Sequence, residues 1–211
     1  MGDMTPPAAP SSASAPPTRE APSTRERLLD AAALLFYTVG VHVGVDALCQ
    51  AAGVSKKSMY QLFGSKDELL AAALRRSIPG FLAKLIPENA DSLSGSERIM
   101  SLFERVEGLV ADPDFQGCAY VSVATGIKAP DHPARQVVLD FHDTLTEYFR
   151  AAAEDAGAAD PLLLAHQLTM IYDGVGPRAV VHGGPTPGLA VETARTMLKT
   201  AGARAHDAAD A

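Results

Sequence analysis

Apolar residues recur every three or four positions along almost the whole chain after residue 23, and this spacing constrains the fold more than any other feature. The spacing is that of one face of an α-helix. No stretch shows the strict alternation of apolar and polar residues that is typical of a half-buried β-strand. The sequence therefore predicts an all-α fold of about nine helices without a sheet.

Capping residues, glycines and a proline divide this pattern into separate helices. Three serine–glutamate pairs have the spacing of a capping box, in which two side chains satisfy free backbone donors at a helix start: Ser23 with Glu26, Ser65 with Glu68, and Ser94 with Glu97. Gly40, Gly53 and Gly64 are the predicted ends of the first three helices. Pro79 would end or kink the fourth helix, and the apolar residues that follow Gly80 favour a kinked helix that continues.

Composition and charge divide the chain into three predicted segments. Residues 1–22 are rich in Pro, Ala, Ser and Thr, so we expect them to be disordered. Residues 23–70 would form an N-terminal helical domain, and residues 71–211 a larger C-terminal one. Residues 1–80 carry 8 Lys/Arg against 7 Asp/Glu, whereas residues 81–211 carry 10 against 18. Phosphate would repel the acidic part, so the N-terminal part is expected to face any nucleic acid.

Several classes of protein are disfavoured by what the sequence lacks. Cys49 and Cys118 are the only cysteines, and the absence of a disulfide framework fits a reducing cytoplasm. No stretch approaches the roughly 18 uninterrupted apolar residues of a membrane span, so we expect a soluble, cytoplasmic protein without a membrane partner. Nucleophile-elbow, phosphate-loop and dinucleotide motifs are missing, and His132 and His142 lack metal-site spacing. We therefore expect neither an enzyme nor a cofactor or metal.

The most informative pattern consists of two short helices joined by Gly53-Val54-Ser55. Gly53 permits a left-handed turn and Ser55 can cap the next helix at once, so the two helices would meet at a steep angle. Met59 and Phe63 face the core from the second helix. Its polar side carries Lys56, Lys57, Ser58 and Gln61. Such a helix can enter the major groove of DNA, where backbone donors and lysines hold phosphates and short polar side chains reach base edges.

Roughly residues 24–70 resemble the tetracycline-repressor (TetR) family of bacterial regulators. The matching segments are the first-helix pattern that ends in Gly40, then Ala51-Ala52-Gly53-Val54-Ser55, and Tyr60-Gln61-Leu62-Phe63-Gly64-Ser65-Lys66-Asp67-Glu68-Leu69. The resemblance implies a three-helix, helix-turn-helix DNA-binding domain. The residues that it implies near DNA are Gly44, Val45, Ser55, Lys56, Lys57, Ser58, Tyr60, Gln61 and Lys66, with Tyr60 and Lys66 at phosphates.

Two positions depart from the family pattern. Gly44 stands where a hydroxyl residue is usual, so a side-chain cap and its phosphate contact are missing. Leu62 replaces a common histidine, so a polar contact is lost there as well. Neither departure removes the fold.

Gly117-Cys118 and Asp131-His132-Pro133 are similar to one ligand-domain subgroup of the same family. This similarity implies a helical domain that binds a small-molecule effector and forms a homodimer through its last two helices. Two recognition helices about 34–36 Å apart would bind a pseudo-palindromic operator in double-stranded DNA.

The effector pocket has seven candidate residues, each of which could instead be ordinary core: Phe103, Tyr120, Phe141, His142, Tyr148, Met170 and Tyr172. Gly174, Gly176 and Pro177 lie together in the eighth helix. They would permit either a close helix approach at a dimer interface or a kink beside the pocket, and the sequence favours neither.

These features together predict a repressor that a small-molecule effector releases from its operator by shifting the fourth helix. A regulator controlled by a protein partner or by its own abundance is an alternative. An all-helical enzyme with a vestigial N-terminal module is a remote one. The residues themselves leave the sign of regulation open.

Overall fold

The computed structural model describes residues 21–204, and this part of the chain contains helices and connecting turns without a strand. Nine α-helices follow one another: α1 (Thr24–Thr38), α2 (Val45–Ala52), α3 (Lys56–Phe63), α4 (Lys66–Leu85), α5 (Gly95–Val110), α6 (Ala119–Gly126), α7 (Pro133–Asp155), α8 (Pro161–His182) and α9 (Leu189–Thr200). A 3₁₀ turn at Ala90–Ser92 precedes α5. The predicted all-α fold is confirmed for this part of the chain. The predicted disorder of residues 1–22 concerns mainly residues 1–20, which lie outside the described residues.

Serine side chains cap the starts of α1, α4 and α5. Ser23 Oγ accepts a hydrogen bond from the backbone N–H of Glu26, and the Glu26 carboxylate accepts one from the backbone N–H of Ser23 at 2.7 Å. The start of α5 has the same reciprocal pair. At α4, Ser65 Oγ accepts from the Glu68 backbone at 3.0 Å, and no return bond to Glu68 accompanies it within residues 21–204. Two predicted capping boxes are therefore confirmed, and the third forms only its serine half.

Helix α4 runs through Pro79-Gly80 and ends at Leu85. The prediction that the helix resumes beyond this dipeptide is confirmed. Pro79 has no N–H for the carbonyl of Arg75, four residues earlier. Arg75, Pro79 and Gly80 are all exposed, so water can bind that carbonyl instead. Helix α4 is continuous across residues 70 and 71. The domain boundary between these two residues remains a prediction.

The core of the larger, C-terminal part is built around α7, which packs against α4, α5, α6 and α8. Tyr120 and Phe141 stack with ring centroids 4.0 Å apart, and Phe103 and Phe149 stack at 5.7 Å. All four rings are fully buried or nearly so. Stacked rings contribute roughly 0.5–1.5 kcal/mol beyond the burial of their area, so these pairs hold the helices at fixed distances.

Helix α4 connects the first three helices with this core, since it packs against α1, α3, α5 and α7. A displacement of α4 relative to α7 would therefore move α1 and α3 with it. Within residues 21–204, no helix is both long and apolar enough to cross a membrane.

Two glycines of α8 differ in their surroundings. Gly176 is buried, and a Cβ there would lie 3.4 Å from the Phe115 ring and 3.5 Å from the Cys118 backbone nitrogen. Its lack of a side chain thus admits the α5–α6 connection against α8, inside the same chain. Gly174 is exposed and a Cβ there would meet nothing within 4 Å. Pro177 is exposed as well, within the continuous helix.

Candidate nucleic-acid interface and adjoining cavities

The turn between α2 and α3 has the geometry that the sequence predicts. Gly53 ends α2 at φ 63° and ψ 41°, a left-handed conformation that glycine adopts without steric cost. Ser55 Oγ accepts a hydrogen bond from the backbone N–H of Ser58 at 3.1 Å and thereby caps α3. The Arg27 guanidinium of α1 donates to the Gly53 carbonyl at 3.4 Å. The turn is therefore held both by its own backbone and by α1.

Helix α3 has one buried and one exposed side. Met59 is fully buried and Phe63 is 9% exposed. The Arg25 guanidinium lies 5.2 Å from the centre of the Phe63 ring, a distance at which a cation and an aromatic face attract each other. The opposite side of α3 exposes Lys56, Lys57, Tyr60 and Gln61. A polar, lysine-bearing helix face is thus presented to solvent.

The other residues of α2 and α3 that were predicted to contact DNA differ in their exposure and in their hydrogen-bond partners. Gly44 is exposed and begins α2 without a side-chain hydrogen bond, and Val45 follows it half-buried. Ser55 and Ser58 have their hydroxyl oxygens 2.9 Å apart, so each hydroxyl already has one partner within α3. Most residues in the first turns of α2 and α3 are exposed, among them Asp46, Lys56 and Lys57.

Lys56 has a partner that the sequence did not indicate. Its Nζ lies 2.7 Å from Asp46 Oδ1 in the first turn of α2, and both side chains are exposed. This hydrogen bond, together with the negative charge of Asp46, raises the pKa of Lys56. Lys56 is therefore positively charged, and its charge is shared with a carboxylate on the same surface.

Lys66 points back into the protein. Its Nζ donates to the carbonyl oxygens of Val41 at 3.0 Å and Val43 at 3.4 Å. These bonds use two of the three ammonium donors and hold the α1–α2 connection against the start of α4. The sequence suggested only a phosphate contact for this residue; the structure adds an internal role, and the phosphate contact remains a prediction.

A cavity of about 370 Å³ lies between α1, α4, α6 and the α5–α6 connection. Its lining is mostly apolar and includes five aromatic rings, those of Phe36, Tyr37, Phe81, Phe115 and Tyr120. Tyr120 Oη donates to the Leu74 carbonyl at 3.3 Å and lies 3.3 Å from Ser77 Oγ. Burial raises the pKa of Tyr120 to about 12, so its hydroxyl keeps its proton at neutral pH.

Two further cavities lie in the C-terminal part. One, also of about 370 Å³, is bordered by α5, α8, α9 and the α8–α9 connection, with Met170, Gly174 and Leu189 among its lining residues. The other, of about 580 Å³, lies between the 3₁₀ turn region, α5 and α9, and charged residues such as Glu104, Arg105 and Lys199 line it.

Comparison with known proteins identifies the chain. The family model of the bacterial regulatory proteins of the tetR family matches residues 28–73. A crystal structure of a TetR transcriptional regulator from Streptomyces avermitilis is 50% identical and superposes with a TM-score of 0.83, over 87% of this chain and 100% of that one. The chain belongs to the TetR family. It is a DNA-binding transcriptional regulator, and the all-helical enzyme is excluded, because members of this family regulate transcription.

Two other relatives extend this result. A TetR-family regulator from Streptomyces coelicolor is 26% identical, with a TM-score of 0.72, over 84% of this chain and 95% of that one. The HTH-type transcriptional activator FasR of Mycolicibacterium smegmatis is 29% identical over 150 residues. That match spans 71% of this chain and 65% of FasR, slightly less than two thirds of the activator.

The seven residues predicted to line an effector pocket in this TetR-family protein do not surround one cavity. Phe103 and Phe141 are fully buried in the stacked core, where they contact other rings. Met170 is 74% exposed on α8. Tyr120 lines the cavity beside α1, whereas Met170 lines the one beside α9. The helices therefore do not bring these residues together around the single pocket that the sequence predicted.

Two other members of that predicted set contact polar groups elsewhere. Tyr172 Oη lies 3.6 Å from Cys118 Sγ, and burial raises the pKa of both groups, so both keep their protons at neutral pH. His142 Nδ1 lies 3.5 Å from Asp173 Oδ1, between α7 and α8. Burial raises the pKa of Asp173, and His142 opposes that shift.

Tyr148, the last of the set, is half-buried, and its ring centroid lies 6.2 Å from that of Phe149. Between residues 21 and 204, no three His, Cys, Asp or Glu side chains form a cluster able to hold a metal ion.

Sequence reasoning missed Phe36 and Tyr37 as cavity residues, because it placed all of α1 in the DNA-binding domain. Tyr37 Oη accepts a hydrogen bond from the backbone N–H of Gln116 at 2.9 Å, which connects α1 with the segment before α6. A signal was present in the sequence, since two aromatic residues stand side by side at the end of α1, where only one can face the small N-terminal core.

Proposed function

We propose that this TetR-family regulator binds a pseudo-palindromic operator as a homodimer and that a small-molecule effector releases it from that DNA. The observation that carries the proposal is the exposed side of α3, where Lys56, Lys57, Tyr60 and Gln61 stand on a helix whose opposite side is anchored by Met59 and Phe63. A rigid, polar helix of this length fits the major groove.

Within the proposed interface, the side chains divide into two groups. Lys57 and the hydroxyl of Tyr60 would contact phosphates, which position the protein without reading sequence. Ser58 and Gln61 would reach base edges, where an amide can form paired hydrogen bonds with adenine. The backbone donors at the starts of α2 and α3, with Gly44, Val45 and Ser55, would bind flanking phosphates, because the N-terminus of a helix attracts anions. Lys56 would contribute its charge, and Lys66 its one remaining donor.

A homodimer is supported by exposed apolar side chains along α8 and at the start of α9. Met170 is 74% exposed, Val180 60% and Val181 80%, and Leu189 of α9 is 42% exposed. Large apolar residues that share an exposed surface are typical of protein interfaces. Gly174, exposed on the same helix, would let two copies of α8 approach closely. Burial of these residues between two copies would hold two α3 helices at a fixed separation.

Effector control is supported by the cavities and by the connection of α4 to both parts of the molecule. A ligand that binds one arrangement of α4 better than another shifts the balance between arrangements with different DNA affinity. An activator is the second candidate, because FasR, which shares 29% identity with the matched part of this chain, is named a transcriptional activator.

Selection of bound DNA from a random pool, with the purified full chain, tests the DNA-binding part of the proposal. We expect enriched sequences with two related half-sites whose centres are about 10 base pairs apart or a multiple of that spacing. Analytical ultracentrifugation of the selected complex should give an even number of protomers. A pool without enrichment, or a complex with one protomer on one half-site, would contradict it.

Glutamate substitutions test the homodimer. Met170→Glu and Val181→Glu place charges on the exposed face of α8, so both variants should sediment as monomers. Leu139→Glu is the matched control, because Leu139 is 50% exposed but lies on α7, outside the exposed apolar surface of α8 and α9. Retention of the dimer by both α8 variants would place the interface elsewhere.

A further inference from the structure

We infer that the effector site is the cavity between α1, α4 and α6, and that it takes a neutral, largely aromatic small molecule, whose contact with α1 acts directly on the DNA-binding helices. This inference rests on the proposed effector control and assigns it a location, a ligand class and a route.

The lining determines the ligand class. Five aromatic rings, supplemented by aliphatic side chains such as Leu70, Leu109 and Val123, offer flat apolar surfaces. A volume of about 370 Å³ falls within the range of sites for small organic ligands. A molecule with aromatic rings would gain both area burial and ring contacts here.

The charges at the cavity favour a neutral ligand over an ion. Lys84 supplies one positive charge, whereas Asp112 and Asp114 supply two negative charges in the α5–α6 connection. Asp112 Oδ1 accepts from the Asp114 backbone N–H at 2.9 Å, so this connection is itself a folded turn. The charges sum to one negative charge, which repels an anion. Both carboxylates are exposed, so a cation buried among the rings would lose its hydration without a buried partner.

Among the hydroxyl groups that line this cavity, one can still donate a hydrogen bond to such a ligand. Tyr37 Oη accepts from the Gln116 backbone, and in the described part of the chain its own proton has no acceptor. Tyr120, in contrast, already donates to the Leu74 carbonyl. A carbonyl or ether oxygen on the ligand would complete the hydrogen bonding of Tyr37. We therefore expect an aromatic molecule that carries an uncharged oxygen acceptor.

The position of α1 explains how occupation would reach DNA. Ala33, Phe36 and Tyr37 of α1 form one side of the cavity, and α6 forms the opposite side. The same helix packs against α2 and holds the α2–α3 turn through the bond from Arg27 to Gly53. A ligand wider than the empty cavity would separate α1 from α6, and α2 and α3 would move with α1. This route acts in addition to any shift of α4.

Neither of the other two cavities described above is both open in the proposed homodimer and in contact with α1. The cavity beside α9 includes Met170 and Gly174, so the proposed homodimer would cover it. The cavity near the 3₁₀ turn begins at Pro87 and has no lining residue from α1, α2, α3 or α4. A ligand in either of these places would have no direct contact with the DNA-binding helices.

The site can be tested with 6-propionyl-2-(dimethylamino)naphthalene, a neutral aromatic ketone whose fluorescence rises and shifts to shorter wavelengths in apolar surroundings. Ala119→Phe places a ring into the cavity from α6, whereas Ala124→Phe places the same ring on an exposed position of the same helix, away from the cavity. We expect the wild type and Ala124→Phe to bind the probe alike and Ala119→Phe to lose at least tenfold in affinity. Equal titration curves for all three proteins would overturn the site.

Two further measurements keep the test decisive. Ala33→Leu fills the cavity from α1, so it should weaken probe binding even if Ala119→Phe fails to fold, as judged by circular dichroism. The anionic probe 1-anilinonaphthalene-8-sulfonate should bind the wild type at least tenfold more weakly than the neutral one. Stronger binding of the anion would overturn the assignment of a neutral ligand.

DNA release separates this inference from the proposed function. Saturating neutral probe should lower the affinity of the wild type for the selected operator, and it should not affect Ala119→Phe. If a compound from an effector screen releases DNA from the wild type and from Ala119→Phe equally, effector control stands and this site is wrong. If probe binding is blocked by Ala119→Phe but leaves DNA affinity unchanged, the route through α1 is wrong. If no compound releases the wild type, effector control itself fails.

Discussion

His132 and Asp67 join the first turns of α7 and α4. His132 Nε2 lies 3.4 Å from Asp67 Oδ1, and Nδ1 of the same ring accepts a hydrogen bond from the Ala134 backbone N–H at 3.1 Å. Because Nδ1 is an acceptor, the proton of the neutral ring is on Nε2, which faces the carboxylate. One side chain therefore caps α7 and contacts the helix that directly follows the proposed recognition helix α3.

Two substitutions separate these roles of His132. Asparagine is a good N-cap but is too short to reach Asp67, whereas alanine removes both contacts. We expect His132→Ala to lower the free energy of unfolding by about 1 kcal/mol in urea titrations, and His132→Asn to lower it by less. Both should change operator affinity in the same direction, since both remove this contact between the first turns of α4 and α7. Wild-type operator affinity in both variants would show that this contact does not couple the helices to DNA binding.

Gly95 and Gly108 provide a matched pair within α5. A Cβ at Gly95 would overlap the Ala152 carbonyl and come within 2.6 Å of the Ala156 nitrogen of the neighbouring chain segment, so α5 or α7 would have to move. Gly108 faces open space. We expect Gly95→Ala to destabilise by about 1–3 kcal/mol and Gly108→Ala to stabilise by about 0.5–1 kcal/mol. Thermal unfolding monitored by circular dichroism measures both, and equal effects would contradict the close packing of α5 on α7.

The internal bonds of Lys66 predict a cost in stability as well as in DNA binding. Lys66→Met keeps the length of the side chain and removes its donors to the Val41 and Val43 carbonyls, so we expect a loss of about 1–3 kcal/mol. Lys57→Met is the control, because Lys57 is exposed on α3 and should change stability little. A Lys66→Met variant as stable as Lys57→Met would show that these bonds contribute nothing measurable.

Asp46 lies beside the proposed phosphate contacts, and its removal should strengthen DNA binding. Asp46→Asn eliminates a negative charge that would repel phosphate and frees Lys56, which is 2.7 Å away. We expect a several-fold rise in operator affinity at low salt, reduced at high salt because the effect is electrostatic. Fluorescence anisotropy over a salt series measures it. An unchanged or lower affinity would place Asp46 and Lys56 away from the DNA.

The local signals in the sequence were sufficient for the helices and for the α2–α3 turn. Ser23, Ser94 and Gly53 determine the backbone through hydrogen bonds or conformations within a few residues, so their effects can be predicted without knowledge of the tertiary fold. The exposed face of α3 follows from the same reasoning, since Met59 and Phe63 are its only large apolar residues apart from Leu62.

The cavity could not be predicted in the same way, because it depends on which helices meet. Phe141 and Tyr120 are both aromatic and both buried, yet only Tyr120 borders the cavity, since α6 faces α1 and Phe141 points into the stacked core. Tyr37 of α1 also borders the cavity. Its hydrogen-bond partner, Gln116, lies more than 70 residues further along the chain. The bonds from Lys66 to the Val41 and Val43 carbonyls likewise depend on the path of the α1–α2 connection.

The affinity of Lys57→Ala and Tyr60→Phe for the selected operator tests the central claim most directly. Both side chains are exposed, so the variants should fold like the wild type, and Lys128→Ala, an exposed lysine outside α3, is the control. We predict that both α3 variants bind more weakly in gel-shift titrations, that Lys57→Ala lowers the slope of log affinity against log salt by about one, and that Lys128→Ala changes neither. Wild-type affinity and an unchanged slope in both α3 variants would contradict the assignment of α3 as the DNA-contacting helix.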